Sequence, residues 1–414
     1  MYVLALVAVL LLFWFPVRTW FTEHRGRWLY ILLFSFLLSF LLVRPFRAFA
    51  ERVGVLDVPD GRKLHGQPTP LLGGGAIYLA FVLSLVANAV MGPALWTILA
   101  GGTCVFIVSL IDDLHPLPAV LKLWVLALSA LIVAAAGVSL SLFPSHTLWG
   151  QALNLVLTVV WIVGITSATN FFDGTDGLAA GLSAIAAFFL GVIAFQSGQV
   201  FLGWVAAALL GSSLGFLPYN FRPGRRATIF LGDAGGNFLG FVLGSVAVMG
   251  EWAEHKLVNI AAPVLIFGVF IYDMIYITLD RVVSGRVKSV REWIEYVGRD
   301  HLHHRLEAIL GRREDAVLFI YALSCSLSIG ATILLMASPF SAFLLLVQAV
   351  VVLLIVTIME RKKRKPAYGE PTRPEPQGAT TKLPPRQESR AGPPDARGGL
   401  GRRWLSERSA RSKR

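Results

Sequence analysis

Long runs of residues without a single charge recur along this chain, and no other feature limits its fold as strongly. Residues 1–15, 29–43 and 343–359 are three such blocks. About twenty consecutive apolar residues, wound as a helix, cross the roughly 30 Å hydrocarbon core of a bilayer. A helix on a soluble core would instead show one apolar and one polar face. Composition agrees: 55% of the 414 residues are hydrophobic and 15% charged, with mean hydropathy +0.66. A soluble domain carries nearer a quarter charged residues. A soluble enzyme, a secreted disulfide scaffold and a disordered chain are thereby excluded. Cys104 and Cys325 lie in separate apolar blocks, so no CxxC pair is available and both read as small core residues.

Twelve apolar segments are expected as helices: about 2–16, 28–45, 71–91, 95–111, 119–137, 151–169, 177–196, 199–217, 229–249, 258–279, 316–336 and 339–359. The first lacks a basic leader and a small-residue cleavage site, so it reads as a helix rather than a signal peptide. Loops after even-numbered segments carry Arg44, Arg47, Arg52, Arg62 and Lys63, then Arg222, Arg225 and Arg226, then eight arginines and lysines between 281 and 313. Loops after odd-numbered segments carry only Arg18, Arg25, Arg27 and Lys256. The positive-inside rule therefore puts the even loops, both termini and the reactive residues in the cytoplasm. A transporter would place binding charge near the bilayer midplane, and here Asp273 is the main charge inside an apolar segment.

The net charge of +12 is concentrated at one end. Residues 360–414 hold 16 of the 37 Lys and Arg and 6 of the 25 Asp and Glu, so this segment carries +10. Eight of the 21 prolines lie there too. Such a composition is expected to be a disordered tail. Its opening basic run, 361–365, suits the anionic cytoplasmic leaflet. Without stacking aromatics or a fold, no nucleic-acid partner is expected.

Five constellations carry chemistry. Arg62, Lys63 and His65 are phosphate donors in the first cytoplasmic loop, followed by Gly73, Gly74 and Gly75 at a helix start, where backbone can approach a ligand. An ordinary basic loop is the alternative. Asp112 and Asp113 close the fourth apolar segment; adjacent carboxylates share a cation or a proton unless they simply end a solvated helix. Asn170, Asp173 and Asp176 leave the membrane three residues apart, with Gly174 and Gly177 between and after them. If helical, they share one face. Asp233, flanked by Gly232 and Gly235, is either a metal-binding carboxylate or a helix cap. His301, His303, His304 and Arg305 end the longest loop and suit pyrophosphate binding or proton transfer. A zinc site is the rival, but carboxylates and glycines suit Mg²⁺ and phosphate better. Upstream, Val290, Trp293, Ile294 and Val297 form a short amphipathic stretch expected on the membrane surface.

In this order the motifs resemble those of the polyprenyl-phosphate N-acetylhexosamine-1-phosphate transferases (glycosyltransferase family 4), over about residues 43–310. The resemblance implies transfer of a sugar-1-phosphate from a UDP-sugar donor to undecaprenyl phosphate, with Mg²⁺ (or Mn²⁺) and release of UMP. It implies a catalytic role for Asp112, Asp113, His301, His303 and His304. It assigns Asp233 and Asp113 to the metal, and Arg62, Lys63, His65, Asn170, Asp173, Asp176 and Arg305 to substrate. The His-x-His-His-Arg pattern is closer to the GlcNAc-1-phosphate branch than to the phospho-MurNAc-pentapeptide translocase, whose histidines are consecutive. Two positions depart from the family's usual pattern: Ser167 stands for an Asn and Gly236 for a Ser.

The expected fold is an all-α polytopic integral membrane protein of eleven or twelve transmembrane helices with a cytoplasm-facing active site in the cell inner (cytoplasmic) membrane. Residues 1–27 form an extra N-terminal helix and loop. Residues 28–336 form the catalytic domain, with loops 44–70, 112–118, 170–176, 218–229 and 280–315. Residues 337–359 form the last helix and 360–414 the tail. A homodimer is left open, as are a covalent aspartyl intermediate, a MurNAc-pentapeptide donor and, in another class, a transporter or lipid flippase.

Overall fold

The computed structural model describes residues 2–57, 68–296, 298–334 and 338–363, and each of the twelve apolar segments carries a helix there. In chain order the elements are α1 (Tyr2–Phe13), α2 (Phe15–Glu23), α3 (Arg27–Val53), β1 (Leu56–Asp57), β2 (Thr69–Pro70), α4 (Gly73–Ala87), α5 (Pro93–Leu114) and α6 (Ala119–Ala135). Next come α7 (Leu148–Phe171), a 3₁₀ turn (Phe172–Gly174), α8 (Leu178–Gln196), α9 (Val200–Asn220), α10 (Gly232–Met249), α11 (Lys256–Ile266) and α12 (Gly268–Val283). The described chain closes with α13 (Val290–Glu295), α14 (Leu302–Leu310), α15 (Arg313–Leu334) and α16 (Pro339–Lys363). The protein is an all-α, multi-pass membrane protein, because in lipid a helix satisfies its backbone polar groups internally.

Among the described residues, seven helices are long and apolar enough to cross a bilayer, or nine if each of two bent pairs is one span. The difference from eleven or twelve lies in helix length. α4 and α6 have 15 and 17 residues, which rise only about 22–26 Å at 1.5 Å per residue. The tenth apolar segment is broken: α11 and α12 meet at 77°. The break follows Pro263, which lacks the N–H of a helix interior, and ends at Gly268. Hydropathy over 258–279 is continuous, so the bend is invisible to it. The amphipathic stretch at 290 folds as the single-turn α13, with Trp293 donating its indole N–H to Thr278 Oγ1 at 3.2 Å.

α10 is the hub of the bundle, packed on α4, α5, α7 and α8. Its Phe238 is fully buried and meets Tyr78, Phe81 and Phe106 edge-on, with ring centroids 5.1–6.2 Å apart. Edge-on aromatic pairs contribute about 0.5–1.5 kcal/mol each. Small residues allow the closest crossings, because packing rather than water exclusion drives helix association in lipid. On α9, Gly211 and Gly215 lie against α3: a Cβ on either would come within 2.2 Å of a backbone carbonyl oxygen, Leu32 O or Phe36 O.

Gly215→Val should therefore separate α3 from α9 at a cost of at least about 1–3 kcal/mol. The measurement is the thermal unfolding midpoint of detergent-purified protein, which should fall well below that of wild type.

Candidate active site

The site begins where α5 ends and α10 starts. Asp113 Oδ1 accepts the Asp233 backbone N–H at 2.9 Å, and Oδ2 accepts that of Ala234 at 3.1 Å. A carboxylate at a helix N-terminus satisfies orphan amides and complements the dipole. So α10 is capped by Asp113 from another helix rather than by its own Asp233. The turn into α10 needs Gly232, whose φ of +78° is left-handed and whose Cβ would lie 2.8 Å from Asp113 Oδ2.

Released from capping, the Asp233 side chain meets Asp112. Their carboxyls are within hydrogen-bonding contact, which two ionised groups tolerate only with a shared proton or cation. Lys122 of α6 is that cation: its Nζ pairs with Asp112 Oδ2 and lies 3.4 Å from Asp233 Oδ2. The Leu117 N–H also donates to Asp112 Oδ1, at 2.7 Å. Asp173, in the 3₁₀ turn, is near the Gly232 amide and close enough to Asp113 and Asp233 to feel their charges. Four aspartates thus gather at these helix ends, two of them on Lys122. Asp233 is the more open of the paired carboxylates, 35% exposed against 10% for Asp112. Lys122 was not among the sequence-derived candidates. Its signal was a lone charge just inside an apolar segment, ten residues after Asp112.

The segment after α7 connects this cluster to the histidines. Asn170 Oδ1 is buried without a hydrogen-bond partner among the described residues and faces Gly236, whose Cβ would stand 2.9 Å from it. A side chain at 236 would crowd Asn170. Asp176 Oδ2 accepts the Ala227 N–H at 3.2 Å. Gly177, at φ +83°, donates its N–H to Asn220 Oδ1 and accepts from the Tyr321 hydroxyl at 2.6 Å. It is a turn held by protein partners, not an amide offered to a ligand.

His301 packs on Phe171, and His303 sits beside Phe172 and Gly174. The buried Asp273, just beyond the α11–α12 break, accepts from His301 Nδ1 at 2.8 Å and from the Leu302 N–H at 2.7 Å. One carboxylate thus caps α14 and orients His301, with Nδ1–H as the donor and Nε2 outside that bond. Arg305 is turned inward: its guanidinium lies 2.9 Å from Glu360 Oε2, donates to Asp300 O at 2.9 Å and stacks 3.8 Å over the Tyr276 ring. The guanidinium that the motif assigns to substrate is engaged in internal contacts. Asp300 in turn takes a two-pronged hydrogen bond from Arg281, both prongs 2.7 Å. Burial opposes its charge, yet the Arg281 fork holds it below the usual carboxylate range.

Gly73, Gly74 and Gly75 serve packing rather than ligand approach. A Cβ on Gly74 would come within 2.3 Å of Gly235 Cα, and the other two abut Phe216 and Phe46. The Gly73 and Gly74 amides donate to Phe230 O and Leu231 O, and the Phe230 N–H to Pro70 O. With the β1–β2 ladder, these bonds fasten both ends of the loop between α3 and α4 beside the start of α10. Arg62, Lys63 and His65 themselves lie outside the described residues, as do Val297 and the tail from 364 onward.

The glycosyl transferase family 4 model matches residues 95–251, the stretch from α5 to the end of α10. A probable undecaprenyl-phosphate N-acetylglucosaminyl 1-phosphate transferase of Bacillus subtilis is 33% identical over 321 residues, covering 75% of this chain and 87% of that protein. The chain belongs to glycosyl transferase family 4. It is also similar to the decaprenyl-phosphate N-acetylglucosaminephosphotransferase of Mycobacterium tuberculosis (28% over 369 residues; 81% of this chain, 89% of the other). More distant is a phospho-N-acetylmuramoyl-pentapeptide-transferase of Moorella thermoacetica (29% over 324 residues; 73% and 97%). This family member is thus a membrane-embedded transferase.

Burial, reinforced by the positive field of neighbouring residues, holds His303 well below the ordinary imidazole value, and burial also lowers His304. Both rings are therefore neutral in the folded protein near pH 7. Below pH of about 6.5 the unfolded chain takes these protons first. Their contribution to stability is thus present above that value and lost as pH falls. The thermal midpoint should drop between pH 7.5 and pH 5.5, and His303→Gln should flatten the drop.

Proposed function

We propose that this enzyme transfers an N-acetylhexosamine-1-phosphate, GlcNAc-1-phosphate first among them, from its UDP-sugar to undecaprenyl phosphate at the cytoplasmic face of the cell membrane. The products are undecaprenyl-diphospho-sugar and UMP, the first membrane step of a cell-envelope polysaccharide pathway. The observation that carries the reading is the gathering of Asp112, Asp113, Asp173 and Asp233 at helix ends, with Lys122 alone among the described residues pairing with them. Nothing in helix packing calls for four carboxylates there.

The donor set fits a hard divalent cation. It consists of oxygens alone and carries more negative charge than one lysine neutralises, which suits Mg²⁺, held by one or two carboxylates together with substrate phosphates. Mn²⁺ accepts the same ligands. Among the described residues no group of three His, Cys, Asp or Glu side chains could hold a metal by itself, so substrate oxygens would have to complete the shell. Asp233 and Asp113 would hold the ion. When bound, it supplies charge neutralisation at the diphosphate and at the leaving UMP.

The chain's own groups do the rest by positioning and by charge, which dominate phosphoryl transfer. An oxygen of the lipid phosphate attacks the β-phosphorus of the donor, the bond to the α-phosphate oxygen breaks, and UMP departs. One carboxylate of the Asp112–Asp113 pair takes the proton of the lipid phosphate. The two amides on Asp113 and the lysine on Asp112 fix both groups in place for this role. Asn170 and His303 present buried polar atoms without hydrogen-bond partners among the described residues, as groups awaiting a polar ligand do. They support a donor site along 170–176 and 301–304, and the family resemblance assigns Arg62, Lys63 and His65 to substrate as well.

Purified protein should release UMP from UDP-GlcNAc and undecaprenyl phosphate, and EDTA should abolish the release. Asp113→Asn and Asp233→Asn should each lower kcat by about 10³-fold or more while remaining folded and membrane-inserted. Near-normal turnover in both variants would remove the site assignment. Release with UDP-MurNAc-pentapeptide alone would change the donor, and flux without UMP would return the transporter reading.

A further inference from the structure

A guanidinium deep in a membrane protein needs a counterion, and the one that Arg305 finds comes from the far end of the chain. Glu360 lies at the end of α16 and is 3% exposed, yet its Oε2 stands 2.9 Å from Arg305 Nε. The only other carboxylate paired with this guanidinium among the described residues is Asp273, whose Oδ1 is 3.8 Å from Nη2. Asp273 has other work: its two oxygens accept His301 Nδ1–H and the Leu302 amide. Arg305 therefore sits between two carboxylates, and the nearer one leaves the other free for the histidine.

We infer that Glu360 is a positioning residue for the transfer reaction, neutralising Arg305 so that Asp273 keeps His301 in its Nδ1–H tautomer with Nε2 facing the site. Without the Glu360 charge, Arg305 is drawn toward Asp273, because an unpaired buried cation costs far more than a shifted side chain. Asp273 then leaves His301, and the imidazole loses the hydrogen bond that selects its tautomer. The last helix is thus part of the catalytic architecture rather than an anchor alone. It is docked independently of Glu360 by the Tyr272 hydroxyl, 2.7 Å from Thr357 Oγ1, which provides a control.

The inference rests on the transferase reading, and the two fail separately. Absence of UMP from wild-type protein removes that reading, whereas the His301 tautomer is read without turnover. In full-length protein, Glu360→Gln should lower kcat about tenfold or more with the donor KM within about threefold, as expected for a misplaced catalytic group. Glu360→Asp, which keeps the charge, should fall between. Tyr272→Phe, which loosens the same helix without touching the charge, should stay within about twofold of wild type. In protein labelled with ¹⁵N-histidine, the ring signals assigned to His301 by their loss in His301→Asn should show protonated Nδ1 in wild type. Glu360→Gln should abolish that signature. Wild-type kcat and an unchanged His301 in Glu360→Gln would overturn the inference. So would an equal loss in Tyr272→Phe, which would make helix docking the cause. If Glu360→Gln is not recovered folded, Glu360→Asp decides, and wild-type kcat with unchanged His301 there overturns the inference as well.

Discussion

Asp113 joins the end of α5 to the start of α10 through two backbone amides, and the site is built outward from that junction. Because Asp113 caps α10, Asp233 does not have to, and its carboxylate reaches Asp112 and Lys122 instead. The turn that allows this is open only to glycine at position 232, where φ is left-handed and Asp113 fills the space of a side chain. The same turn brings the Gly232 amide to Asp173, and the preceding Phe230 and Leu231 carbonyls accept the Gly73 and Gly74 amides at the start of α4. One carboxylate therefore fixes the relative placement of three helix ends.

From this junction the site extends as a line of contacts rather than a closed ring. The segment after α7 carries Asp173 at the carboxylates and Phe171, Phe172 and Gly174 at the histidines. The histidines lean on Asp273, which the broken helix delivers, and Arg305 ties that corner to α16. Rigid helices hold both ends. The central helix α10 is wedged by Phe238 and by the close crossing of Gly74 with Gly235, so the geometry is set before substrate arrives.

Much of this was legible in the sequence. Uncharged blocks gave the helices and the multi-pass class, and the order of the motifs around Asp112, Asp113, Asn170, Asp173, Asp233 and the histidines resembled that of one family's site. What escaped depends on partners distant in sequence. Lys122 is a lone charge just inside an apolar segment, and only the folded chain brings Asp112 and Asp233 beside it. The capping role passed from Asp233 to Asp113 because a cap donated by another helix leaves no local pattern. Gly73, Gly74 and Gly75 looked like a phosphate cradle, yet they pack against Phe216, Gly235 and Phe46. The 77° break between α11 and α12 is hidden because both halves are equally apolar, and without it Asp273 reads as an isolated intramembrane charge. Arg305 matched a substrate motif, but only tertiary structure reveals Glu360 as its partner.

The central claim is that this carboxylate cluster moves a phosphosugar, not a sugar alone, onto a polyprenyl phosphate. Donor UDP-GlcNAc labelled with ³²P at the β-phosphorus tests that claim most directly. The account predicts that the label passes into the organic phase as a lipid diphosphate, while unlabelled UMP remains in water. Label retained in the aqueous phase as UDP, with the sugar found on the lipid, would contradict it.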